Sequence, residues 1–175
     1  MRSTLNRSLL RSTIRRFQSN NDKRSVDVVE IGCIRSLSES NKEGDGHSTK
    51  QWADAGFNVI AVDNNNRAVQ VCRDYLKDFS NVRVILSDGV TFIANMEHDA
   101  DIFFLDAMGP TASGYQEFHF KLFESASKHL KQGGVIIVDD VDLSNGGKAG
   151  IILKRAPAMG FKATIQGSMA LFEKE

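Results

Sequence analysis

Apolar residues along the chain fall into short blocks separated by polar stretches, and the blocks alternate in period. Val26, Val28, Val29 and Ile31 form a strand-like run over Val26–Ile31, closed by Gly32. A polar stretch from Arg35 to Gly46 reads as a loop. Ser48–Ala55 then reads as a helix with Trp52 and Ala53 inward, Asn58–Val62 as a strand, and Arg67–Phe79 as a helix. Val82–Leu86 is a third strand, Val90–Met96 a short helix, and Asp101–Leu105 a fourth strand. The long helix Gln116–Leu130 is expected to stop at Gly133-Gly134, before a fifth strand over Val135–Val138. After Asn145-Gly146-Gly147 a helix over Ala149–Met159 precedes two strands, Phe161–Ile165 and Met169–Phe172. Only Gln166-Gly167-Ser168 separates these two, which predicts a hairpin. Strands alternating with helices require a mostly parallel sheet covered on both faces. The expected fold is therefore α/β: a Rossmann-like, doubly wound, seven-stranded sheet with one antiparallel strand from the C-terminal hairpin.

The first 24 residues stand apart from the domain over 25–175. Leu9, Leu10, Ile14 and Phe17 share one side of a helix, with Arg7, Arg11 and Arg15 on the other. This arm reads as a helix that packs on the domain and closes over its site, as an Arg/Ser-rich organellar presequence, or as a basic patch for membrane or nucleic acid. Charge sharpens the contrast. The 175 residues carry 22 basic and 22 acidic groups; seven of the basic groups and one acid, Asp22, lie in residues 1–24. The remainder is net acidic, which argues against a nucleic-acid binder. No apolar run reaches the roughly 18 residues of a membrane span. Two cysteines without a CxxC pair argue against a disulfide scaffold and for a reducing compartment. The cytoplasm is the expected location, with the mitochondrion as the alternative if the arm is a presequence.

Candidate chemistry sits at the strand ends, because ligands of such sheets bind outside the carboxyl ends of the strands. Glu30 and Gly32, Asp63 and Asn64, Asp88 and Gly89, Asp106, and Asp139 with Asp140 occupy those ends in turn. Singly, each Asp is a candidate helix cap; together they predict carboxylates gathered along one rim. Asp63 is placed to accept the hydroxyls of a ribose. Gly32 and Gly46 allow close backbone approach. His47, Ser48 and Thr49 open a helix that suits an anionic group. No GxGxxG is present, which weighs against a dinucleotide.

Five motif regions, Val28–Gly32, Val59–Asp63, Leu86–Gly89, Ile102–Asp106 and Gly133–Asp140, resemble those of the class I S-adenosylmethionine-dependent methyltransferases in family order over residues 25–175. The resemblance implies S-adenosyl-L-methionine as cofactor. Gly32 and Gly46 would pass its methionine portion, Ser48 would hold the carboxylate, Asp63 the ribose, and Asp88 and Gly89 would flank the adenine, with Glu30 and Asn64 beside them. The family's compact glycine turn is split here by the insertion Arg35–Glu43. Asp106 with Asp139-Asp140 resembles more closely the metal-dependent small-molecule O-methyltransferases of the catechol and macrocin types. That implies Asp106, Asp139 and Asp140 as ligands of Mg2+, which would hold a hydroxyl-bearing acceptor in line with the methyl. The competing reading makes Asp140 and Asp142 solvated loop acids with no metal. The lysine that catechol enzymes carry after the fourth strand is missing here.

For proton transfer the candidates are Asp106 and His119, the latter weighed against an ordinary helix position; His47 is a candidate base or cofactor contact. Arg35 and Lys148 flank the crevice loops and are read first as solvated charges. Tyr115 and Met108 are candidates for the acceptor pocket, and Phe103, Phe104, Phe118, Phe120 and Phe123 for the core. The function expected from all this is methyl transfer to an oxygen of a small molecule. The alternatives are a nucleotide-dependent oxidoreductase and a non-catalytic cofactor-binding subunit.

Overall fold

The computed structural model describes residues 2–19, 25–37, 47–109 and 111–175. Its elements run α1 (Arg2–Ser19), β1 (Asp27–Ile31), α2 (Ser48–Asp54), β2 (Asn58–Asp63), α3 (Asn66–Tyr75), β3 (Val82–Leu86), α4 (Gly89–Ala94), β4 (Ala100–Leu105), α5 (Tyr115–Lys128), β5 (Leu130–Val138), α6 (Gly150–Arg155), β6 (Phe161–Gln166) and β7 (Met169–Lys174). The seven strands form one sheet in the order β3-β2-β1-β4-β5-β7-β6. β7 alone runs antiparallel, wedged between β5 and β6, so the expected fold class holds.

Side-chain alternation divides the core between the two faces. Val29, Ile31, Phe103, Leu105, Ile136 and Val138 pack with α5 residues Phe120, Leu122 and Phe123. On the opposite face Val28, Ile102, Phe104, Val135 and Ile137 pack with Trp52 of α2 and Leu9 and Leu10 of α1. Because both faces are covered, the central strands are apolar throughout: every residue of β4 is buried.

The arm is part of this second core. Leu9 and Leu10 are buried, with Ile14 and Phe17 packed against them, while Arg11 and Arg15 are exposed. Gln18 donates to the Ala55 carbonyl at 3.1 Å, and Arg16 pairs with Glu173. The expected packing on the domain is found. The apolar stripe of α1 shares a core with residues of β1, β2, β4, β5 and β7.

Two boundaries differ from expectation. The helix before β5 ends at Lys128, not at Gly133-Gly134; both glycines lie inside β5. Gly133 has φ 76°, and a Cβ on Gly134 would lie 2.7 Å from the Asp101 carbonyl oxygen. The pair therefore serves a register irregularity between β4 and β5 near Ala100 and Ile102, and not a helix stop. The helix expected over Ala149–Met159 is composite: a 3-10 turn at Gly147–Ala149, then α6, then a 3-10 turn at Ala156–Met159. Pro157 lacks the N–H that would continue the α-helical ladder past Arg155, and it sits instead in the first turn of the 3-10 segment, with Ala156 before it still helical at φ −54°, ψ −39°.

The strand order reverses at β1, whose neighbours are β2 and β4. The crevice opens there, at the carboxyl ends of these strands.

Candidate active site

A cavity of about 320 Å3 opens at the ends of β1, β2 and β4. That volume lies within the ~300–1,000 Å3 usual for small-molecule sites. Asp63, Asn64 and Asn65 line it on the β2 side; Asp106, Ala107 and Met108 line it on the β4 side; Gly32, Cys33 and Arg35 form its floor and rim. Ile31, Val62 and Phe118 supply apolar wall.

Local rules fix these positions. Gly32 has φ 96°, and a Cβ there would meet the Asp106 carbonyl oxygen at 2.4 Å. Only glycine lets β1 turn this close to β4. Its N–H is bonded to the Val62 carbonyl, and the Asp106 N–H to the Ile31 carbonyl, so the turn is pinned between both neighbours. Asp63 is held twice. Its Oδ2 accepts from the Cys33 N–H at 3.2 Å and its Oδ1 from the Asn65 N–H at 2.8 Å. Asn65 in turn caps α3 by accepting from the N–H groups of Arg67 and Ala68. A carboxylate offers about four acceptor directions. Asp63 uses two of them within the chain, and the other two suit a pair of vicinal hydroxyls.

Of the expected cofactor residues, Gly32, Asp63, Asn64 and Gly89 line the cavity. Gly46 lies outside the described residues, as does most of the insertion. Glu30 is buried on the face opposite Ile31, where its carboxyl is bonded by the hydroxyls of Ser48 and Thr49. Burial lifts its pKa well above the usual carboxylate range, against the lowering effect of those hydroxyls. Ser48 is thus committed to Glu30 and not to a ligand carboxylate. Asp88 is exposed and accepts from the Thr91 N–H at 2.8 Å, the simple capping role. None of the three lines the cavity: Ser48 bonds Glu30 and Asp88 caps α4, although Asp88 stands between Ser87 and Gly89, which do line it.

The acids after β4 and β5 do come together, but around a lysine. Lys148 is almost wholly buried, and its ammonium bonds Asp106 and, at 2.9 Å, Asp140. Burial pulls the Lys148 pKa down, but Asp106 and Asp140 outweigh it and leave it raised. Burial raises Asp106, with Lys148 opposing. Asp139 accepts from the Asp140 N–H at 2.7 Å and from the Ser168 hydroxyl at 2.6 Å. Burial and the nearby Asp106 carboxylate push its pKa to about 7. The donor set therefore does not fit Mg2+. Two of the three expected ligands grip an ammonium, and the third is turned to its own hydrogen bonds. Among the described residues no group of three or more His, Cys, Asp or Glu side chains is arranged to hold a metal ion.

His119 is also corrected. It is fully buried in α5, with Nδ1 2.7 Å from the Tyr115 carbonyl, and does not line the cavity. Burial lowers its pKa to about 4, against the raising effect of that carbonyl, so the ring is neutral at ordinary pH and shielded from a ligand. Phe118, assigned to the core from sequence, instead reaches the cavity wall, whereas Met108 lines it as expected. Lys148 was the residue whose importance the sequence hid, since nothing in a loop lysine announces burial. The one local signal is Gly146-Gly147 directly before it, a pair that permits a tight turn.

Strand order, one antiparallel strand and a crevice carboxylate at β2 define a Rossmann-like methyltransferase fold. Solved structures agree on the fold. NSun6 from Pyrococcus horikoshii superposes with TM-score 0.69 at 16% identity, over 94% of this chain and 51% of that one. The MycE methyltransferase of the mycinamycin biosynthetic pathway, solved with Mg, SAH and mycinamycin VI, gives 0.64 at 18% identity, over 94% and 48%. The sequence itself matches the family model of the spermine/spermidine synthase domain over residues 45–144, and the chain belongs to that family. A curated relative, the polyamine aminopropyltransferase of Thermoplasma volcanium, is 25% identical over 101 residues, which is 54% of this chain and 37% of the relative. The match thus spans little more than a third of that relative's length. No helix among the described residues is long and apolar enough to cross a membrane.

Proposed function

We propose that the chain binds an adenosyl sulfonium, S-adenosyl-L-methionine, at the β1–β2–β4 crevice and transfers its methyl group to an oxygen of a small hydroxyl-bearing molecule. The observation that carries this reading is Asp63, a carboxylate fixed at both oxygens with acceptor capacity left, on the wall of a nucleoside-sized cavity. Ile31, Val62 and Phe118 offer apolar surface to a purine, and Arg35 on the rim suits the donor's carboxylate. When bound, the sulfonium supplies an activated methyl group. The residues of the chain align the acceptor oxygen behind it, exclude water and take up the acceptor's proton. Asp106, in the cavity wall with its pKa raised by burial, is the group proposed to receive that proton. No step is assigned to a metal ion.

Aminopropyl transfer to a polyamine is the second reading, favoured by the family match. The two donors leave different by-products, so calorimetric titration with S-adenosylhomocysteine and with methylthioadenosine separates them. Methyl transfer predicts that S-adenosylhomocysteine binds at least tenfold tighter. A preference for methylthioadenosine would assign the chain to aminopropyl transfer, and binding of neither would end both readings.

A further inference from the structure

Lys148 lies where the pattern of three acids leads one to expect a divalent cation. We infer that its ammonium is the built-in counter-cation of Asp106 and Asp140, so that these acids and the adjoining Asp139 take no divalent ion while the lysine is in place. The inference concerns the acids themselves and does not depend on which group is transferred.

The local chain is shaped to deliver this lysine. Gly147 has φ 52°, and a Cβ there would lie 1.8 Å from the Asp140 carbonyl oxygen. No other residue permits that approach. The approach lets the Lys148 N–H bond the same carbonyl at 3.0 Å, while its side chain bonds the Asp140 carboxylate at 2.9 Å. Asp140 itself sits at φ 53°, a left-handed conformation uncommon outside glycine. The turn is then locked onto α5. Gln116 donates to the Gly147 carbonyl at 2.9 Å, and Asn145 donates to the Tyr115 hydroxyl at 2.9 Å and accepts from the Gly147 N–H at 3.1 Å. A glycine contact, a left-handed aspartate and two polar ties thus converge on one result: an ammonium between two carboxylates.

Such an ammonium and a bound Mg2+ exclude each other. The ion needs carboxylate oxygens at ~2.0–2.1 Å in near-octahedral geometry, and the oxygens nearest to hand are those Lys148 bonds. A second cation beside it would also meet like charge at short range in a poorly screened setting. Removing the lysine charge leaves a half-buried acid cluster without its counter-ion, which favours uptake of a cation from solution.

Mn2+ titration, followed by the paramagnetic resonance signal of the free ion, tests this on the wild type, Lys148→Met, Lys148→Arg and Asp106→Asn. Circular dichroism establishes which variants fold. The expected result is no saturable binding below millimolar Mn2+ in the wild type and in Lys148→Arg. Lys148→Met is expected to bind at least tenfold more tightly, with a rise in melting temperature on adding Mn2+. Saturable wild-type binding that Asp106→Asn abolishes would overturn the inference, as would a folded Lys148→Met that binds no Mn2+. Should Lys148→Met fail to fold, the wild type and Asp106→Asn still decide the matter.

Discussion

Residue by residue, burial decides what the acids and His119 can do. Asp139 shows this best, because its pKa near 7 arises from burial and from the neighbouring Asp106 carboxylate. A carboxyl whose folded pKa is raised binds its proton more tightly when folded than when unfolded. Its contribution to stability is then present at pH below about 4 and is lost as pH rises toward about 7. Asp139→Asn keeps an oxygen for Ser168 and the Asp140 N–H but cannot ionise. Denaturant melts of the two proteins should therefore diverge with pH. The variant should gain on the wild type between about pH 4 and pH 7, by on the order of a few kcal/mol at most. A difference that does not vary with pH would show that Asp139 titrates normally. The same forces explain which site residues the sequence revealed. Asp63 and Gly32 were legible because strand ends of this topology have only one crevice to face. For Ser48, Glu30 and Asp88 spacing gives position and not the partner: Ser48 turns to Glu30 and Asp88 to the Thr91 N–H.

Among the elements, most strands were legible from period alone, since apolar pairs on alternate faces leave few other arrangements. The departures come where glycine and proline have tertiary duties. Gly133 and Gly134 look like a helix stop but serve the β4–β5 register, and Pro157 divides one apparent helix into an α-helix and a 3-10 turn. The arm gave three readings because an amphipathic basic helix is the same object on a protein, a membrane or an import receptor. The structure places its apolar stripe in one core with Val135, Ile137, Met169 and Leu171. Leu10 is 2% exposed, so Leu10→Ala should cost about 2–4 kcal/mol through lost transfer energy and the cavity left behind. For a domain of this size that lowers the melting temperature by roughly 5–10 °C. An unchanged melting temperature would mean that α1 does not contribute to the folded core.

At the level of the whole molecule, the sheet supplies one reactive edge, and the two ends of that edge differ in character. The β1–β2 end presents a fixed carboxylate over a cavity, which suits a nucleoside. The β4–β5 end presents Asp106 and Asp140 paired with Lys148, with Asp106 in the cavity wall. The sequence shows the gathering of acids but places an ion at their centre, because Gly146-Gly147 signals a tight turn without showing which side chain the turn delivers. The central claim is that Asp63 holds the ribose of an adenosyl ligand. Side-by-side calorimetry of the wild type and Asp63→Ala with S-adenosylhomocysteine tests it most directly. The account predicts measurable wild-type binding weakened at least tenfold by the substitution, about 1.4 kcal/mol or more; equal binding by the two proteins would contradict it.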